Sequence, residues 1–161
     1  MSEILYMSAD DFYIGQGQKG PILCNKVEGL SLILFYSTQC QHCKPLLPIF
    51  RNLANIITGC KFGMINLSKN TKLIHMSKQT IAPIEYVPYT VLYVHGKPFM
   101  WYDGNYEEDD IRRFIMNVGS SIQTKQKFHD NISEVSIGKA LKGGPNSARR
   151  CYLSYDDCYK S

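Results

Sequence analysis

The chain has 161 residues, an apolar fraction of 44% and a net charge of +4, values that fit one globular domain with a proper core. No stretch reaches the roughly 18 apolar residues of a membrane-spanning helix. The opening MSEILYMSADDFY has neither a basic start nor a long apolar block, so an intracellular, cytoplasmic protein is expected. Residues 119–161 carry +3 of the charge, with Lys125, Lys127, Lys139, Lys142, Arg149 and Arg150 spread along the segment. Such spacing reads as solvated surface and argues against nucleic acid as a partner.

In chain order, the first strong signal is LSLILFYS at residues 30–37, a continuous apolar run suited to a strand buried on both faces. After TQCQHCK, residues Leu46, Ile49, Phe50, Leu53 and Ile57 recur at helical spacing, and Gly59 offers a stop. Pro48 lies inside that helix and is expected to kink it. KFGMINL (61–67) reads as a second strand, and residues 70–80 as a weaker helix. Thr90–Val94 gives a third strand, His95-Gly96-Lys97 a hairpin turn, and Pro98–Tyr102 the returning strand. Gly104-Asn105 breaks the sheet. Glu107, Glu108, Asp109 and Asp110 then crowd the start of a last helix, where the helix dipole favours them. Ile111, Phe114, Ile115 and Val118 form its apolar face.

The order is strand, helix, strand, helix, hairpin, helix: a parallel crossover followed by an antiparallel addition. An α/β fold follows, with a central mixed sheet flanked by helices over residues 1–118 and a C-terminal extension over 119–161. Three tyrosines and Leu153 make the end of that extension too apolar for a free tail, so it is expected to dock on the domain or on a partner.

The cysteines carry the chemistry. Cys40-Gln41-His42-Cys43 stands where the buried strand passes into a helix. A helix N-terminus stabilises a thiolate, and two intervening residues bring the sulfurs within bonding reach. Cys40 is expected to attack and Cys43 to resolve the mixed disulfide. A partly protonated His42 between them favours the thiolate further and makes the oxidised pair a stronger oxidant. A zinc reading needs Cys151 and Cys158 as a second ligand pair, at a spacing unlike usual zinc pairs, so no metal is assigned. A disulfide between Cys151 and Cys158 is a second possible use of that pair. Cys24 and Cys60 read as small buried hydrophobes, and His75, His95 and His129 as surface or satisfied packing.

FYSTQCQHCK, then Pro48, VPYT, the hairpin and YDG resemble the thioredoxin superfamily over roughly residues 25–118, and the His of CQHC is like the protein disulfide isomerase version of the motif. The resemblance implies a thioredoxin-like fold, a thiol–disulfide oxidoreductase acting on cysteine-containing proteins, and no cofactor. It implies that Val87 and Pro88 form a cis-proline substrate loop, with Gln39 and Gln41 flanking the nucleophile at the substrate surface. Peptide recognition by main-chain strand addition follows from that reading. Two departures stand out. Leu34 occupies the place of the buried acid that relays a proton to the resolving thiol, and Gln39 that of a Trp. A scaffold or interaction protein with a slow dithiol is therefore the alternative. The Ile, Lys, Asn and Tyr richness and the CYLSYD end also resemble thioredoxin-domain proteins of large cytoplasmic DNA viruses. That likeness implies a virion or capsid setting, with viral structural proteins as partners of the extension.

Overall fold

The computed structural model describes residues 4–128, 140–142 and 150–153. A six-stranded mixed sheet runs through it. In spatial order its strands are β1 (Leu5–Met7), β5 (Lys61–Asn66), β4 (Leu30–Tyr36), β7 (Tyr89–Val94), β8 (Lys97–Asp103) and β9 (Ala140–Lys142). β4 runs parallel to β5 and antiparallel to β7, so the crossover and the hairpin meet on the longest buried strand. β2 (Phe12–Gln16) and β3 (Pro21–Asn25) form a separate hairpin, which the sequence reading, starting at residue 30, does not contain.

Side-chain alternation on the strands builds two cores. Leu32, Leu34, Phe62, Met64 and Leu92 face α1 (Leu46–Ile56) and α3 (Glu108–Phe128). Ile33, Phe35, Ile65, Val91 and Tyr93 face the β2–β3 hairpin and α2 (Thr71–Ser77). The central strand is thus apolar throughout because each face has its own helical or hairpin cover. Ile111, Phe114, Ile115 and Val118 are buried against the first layer. α3 does not stop at residue 118; it continues through Gly119 and Ser120 to Phe128.

Gly96 turns the β7–β8 hairpin at φ 81, and a side chain there would meet the Asn25 carbonyl oxygen at 2.1 Å. The glycine lets β3 approach, and the Asn25 N–H donates to the Gly96 carbonyl at 2.8 Å. His95 takes part in the same turn, its Nδ1 accepting from the Gly29 N–H at 3.3 Å.

Pro48 needs a correction. It stands in the first turn of α1, where no intrahelical N–H bond is lost. The change of geometry comes earlier. Cys43 N–H donates to the Cys40 carbonyl at 3.1 Å and Leu46 N–H to the Cys43 carbonyl at 3.0 Å, as a chain of tight turns before the regular helix starts. Cys40 and Cys43 therefore sit on those turns rather than on the first helical turn.

Candidate active site

β4 ends at Tyr36, and the chain then folds over its own strand end. Cys40 N–H donates to the Ser37 carbonyl at 3.1 Å, and Ser37 Oγ accepts from the Gln39 N–H at 3.2 Å. These bonds place Cys40 against the loop that precedes β7. The Val87–Pro88 peptide bond there is cis, and the Cys40 sulfur lies 3.8 Å from the Val87 carbonyl oxygen. Val87 belongs to a two-residue strand, β6 (Tyr86–Val87), which lies outside the main sheet.

The extension supplies β6 with its partner. β10 (Cys151–Tyr152) pairs with it antiparallel, Cys151 opposite Val87 and Tyr152 opposite Tyr86. Leu153 N–H donates to the Glu85 carbonyl at 2.8 Å. Cys151 is joined to Cys40 by a disulfide, the two Cα atoms 5.9 Å apart. A Cys151–Cys158 pairing is thereby overturned: strand register carries Cys151 to a sulfur 111 positions away in sequence, and Cys158 lies outside the described residues.

The tail changes the exposure expected of Cys40. Its residue is 2% exposed, and Cys43 is fully buried with a free thiol. Burial pushes the Cys43 thiol up to about 11, opposed by a hydrogen bond from the backbone at Ser37. Leu34 is fully buried in the layer under α1 and α3, so no carboxylate occupies that position. On the adjacent strand Thr90 stands opposite Leu34, and its hydroxyl lies 3.0 Å from the Tyr106 hydroxyl.

Gln39 and Gln41 are exposed and His42 is half-buried. Gln41, His42 and Pro88 line a groove of ≈ 240 Å³ with Pro45, Leu46, Ile49 and Tyr106. The structure thus brings Cys40, Cys43, Val87 and Pro88 to one place, with His42 and Gln41 beside them. Cys24 and Cys60 are buried and take part in no disulfide; burial raises Cys60 to about 12. His129 lies outside the described residues.

Three residues of the site escaped the sequence reading. Arg150, just before Cys151, donates from a guanidinium nitrogen to Asp103 Oδ1 at 2.8 Å. The same guanidinium lies 4.1 Å from the centroid of the Tyr86 ring. Tyr86 also touches Trp101 and Tyr152, with centroids 6.1 and 5.7 Å away. An Arg and two aromatics scattered over 65 positions have no spacing signal; only the strand pairing assembles them.

Among the described residues, no group of three or more His, Cys, Asp or Glu side chains is placed to hold a metal ion, and no helix is long and apolar enough to cross a membrane.

Comparison with known proteins places this geometry. The thioredoxin family model matches residues 23–117. Uncharacterized protein 196R of Invertebrate iridescent virus 6 is 38% identical over 170 residues, covering 99% of this chain and 95% of its own. Uncharacterized protein 020R of Invertebrate iridescent virus 3 is 28% identical, covering 97% and 96%. Among solved structures, human ERp44 form I superposes with a TM-score of 0.54 at 15% identity. It covers 73% of this chain, which spans only 29% of the ERp44 chain. A thioredoxin of Malassezia sympodialis gives a TM-score of 0.51 at 13% identity, covering 73% and 91%.

Proposed function

Because the chain belongs to the thioredoxin family, we propose that it is a thiol–disulfide oxidoreductase working through Cys40 and Cys43 on protein cysteines. The observation that carries this reading is the Cys40–Cys151 disulfide seated beside Val87 and Pro88. An extended segment adds to β6 by main-chain pairing and delivers its cysteine to Cys40. That is the geometry a substrate mixed disulfide needs.

The Cys40 thiolate attacks one sulfur of a substrate disulfide. The substrate S–S bond breaks, its distal cysteine leaves as thiolate, and a Cys40–substrate bond forms. Cys43 then gives its proton to solvent and attacks the Cys40 sulfur. The Cys40–Cys43 bond forms and the second substrate thiolate leaves. The substrate gains two electrons and the dithiol loses two; the same steps reversed oxidise a substrate dithiol. In this structure Cys151 stands where the substrate cysteine stands, so attack by Cys43 releases the tail. His42 lies beside the dithiol, and Gln39 and Gln41 flank the approach. Kinship to iridescent virus proteins supports a viral setting, in which the acceptors are structural proteins of the virion.

The test is to trap the intermediate. In full-length Cys43→Ser/Cys151→Ser, which removes attack by both the resolving thiol and the tail, mixed disulfides with peptides whose cysteine is held as an activated disulfide should accumulate on Cys40. The same experiment with Cys40→Ser should yield none. Trapping that persists on another cysteine would overturn the assignment.

A second reading is favoured by the same tail. With Cys40 covered and Leu34 in place of an acid, the domain also suits a scaffold whose disulfide fastens the extension. It requires that the Cys40–Cys151 bond resist millimolar glutathione; prompt opening rules it out.

A further inference from the structure

The docked tail displays, beyond the sulfur chemistry, which neighbouring side chain the site is built to hold. Resting on the oxidoreductase reading above, we propose that Asp103, Tyr86 and Trp101 form a cation subsite. It selects protein cysteines preceded by an arginine.

Arg150 directly precedes β10, and its guanidinium and the Cys151 sulfur meet different residues, so the two are read by different walls. Cys151 meets Cys40. Arg150 meets a wall made by β6 and β8: Asp103 Oδ1 at 2.8 Å, the Tyr86 ring at 4.1 Å and the Trp101 ring at 5.9 Å. Its side chain is 15% exposed and that of Asp103 is 23% exposed, so the pair is largely out of water. A planar guanidinium satisfies both demands of this wall, a hydrogen bond to a carboxylate and a face over an aromatic ring. Lysine meets the charge but not the plane.

The other described tail positions, Tyr152 and Leu153, carry no charge for a wall to read. Tyr152, after the cysteine, is 60% exposed. Leu153 is held by its backbone N–H on the Glu85 carbonyl, and its side chain packs partly buried against the core layer that contains Ile33 and Phe35. Recognition of charge therefore falls on the residue before the cysteine. None of the three wall residues belongs to the dithiol or the Val87-Pro88 loop, so the subsite adds specificity to a site whose chemistry is complete without it.

The measurement uses the reduced full-length protein and short peptides carrying Arg-Cys-Tyr, Lys-Cys-Tyr, Ala-Cys-Tyr or Glu-Cys-Tyr. Each cysteine is held as a disulfide with thionitrobenzoate, whose release is read by absorbance. Rates are divided by those of each peptide with free glutathione, which removes differences in intrinsic reactivity. The Arg peptide should react about tenfold faster than the Ala peptide, and the Glu peptide slowest, as fits a partly desolvated cation–π and ion pair. In Asp103→Asn the Arg preference should fall several-fold while the Ala rate holds. Equal normalised rates for Arg and Ala peptides in the wild-type chain would overturn the subsite and leave the wall a clamp for the tail alone. Absence of reaction with any peptide at Cys40 would overturn the oxidoreductase reading along with it. As a measure independent of folding in the Asp103 variant, Arg150→Ala should make the Cys40–Cys151 bond open at about tenfold lower glutathione. An unchanged opening point would count against any grip on the cation.

Discussion

Cys151 lies directly opposite Val87 in antiparallel register, and Val87 is the residue whose carbonyl oxygen sits 3.8 Å from the Cys40 sulfur. One residue of β6 therefore positions both halves of the disulfide. A loop that accepts an extended strand on its free edge needs no further pocket to bring a cysteine to Cys40; pairing register alone does so. The extension behaves as a tethered occupant of this edge.

Breaking the tether should uncover the nucleophile and cost stability. The Cys40–Cys151 bond closes a loop across 111 positions. Chain entropy for a loop of that size is worth about 4–5 kcal/mol. Cys151→Ser should lose much of this in denaturant unfolding without reductant, while the two proteins become nearly equal once reduced. In the variant, reduced and then freed of reductant so that Cys40 and Cys43 are both thiols, Cys40 should alkylate readily, against protection in the non-reduced wild type. Equal midpoints without reductant would show the bond absent in solution.

Release of the tail should depend steeply on pH. Cys43 must ionise before it attacks Cys40, and burial holds it near 11. The thiolate fraction, and with it the rate of internal exchange freeing Cys151, should rise about tenfold per pH unit from neutrality until roughly that value. Following Cys151 labelling in Cys60→Ala after a pH jump reads this rate. A plateau below pH 9 would mean that Cys43 is more acidic than its burial allows.

Placing a carboxylate at residue 34 should trade stability for speed. Leu34 is fully buried within the α1–α3 layer. Leu34→Asp introduces a polar group there without a partner, and should cost about 3–5 kcal/mol. In what remains folded, Cys43 gains a proton acceptor, and internal exchange at pH 7 should quicken by about tenfold or more. Slower exchange in the folded fraction would remove Leu34 as the reason for a sluggish resolving thiol.

Buried Cys60 gives a pH-linked stability term of known sign. Its thiol is held near 12 in the fold against an ordinary value of 9.0. The unfolded chain releases this proton first, so the contribution is full below pH 9 and is lost as pH climbs from 9 toward 12. The stability difference between wild type and Cys60→Ala should shrink by about 1.4 kcal/mol per pH unit above 9. Urea unfolding at pH 8, 9 and 10 measures it; a constant difference would mean that Cys60 is not buried.

Much of this architecture was legible in the chain because it is written locally. The continuous apolar run of β4, the CQHC turn after it, and the period of Ile111, Phe114, Ile115 and Val118 each declare an element within a dozen residues. The β2–β3 hairpin was not legible: Phe12–Gln16 is short, half-exposed and interrupted by Gly15, so no apolar alternation marks it. Pro48 misled because its effect depends on where the helix begins, and the tight turns through Cys43 shift that start to Leu46. The seven-residue spacing of Cys151 and Cys158 pointed to a local partner, whereas the bond formed by strand addition leads to Cys40. Pairing between distant segments leaves no period in either of them. Asp103, Tyr86 and Trp101 became recognisable as a group only through Arg150.

Alkylation of the reduced full-length protein across pH, located by mass spectrometry, tests the central claim most directly. An activated nucleophile at Cys40 requires that it react with a midpoint well below the ordinary thiol value of about 8.5, while Cys43 stays protected toward 11. If Cys40 titrates at or above the ordinary value after its bond to Cys151 is reduced, the oxidoreductase account is contradicted and the disulfide is a structural fastening.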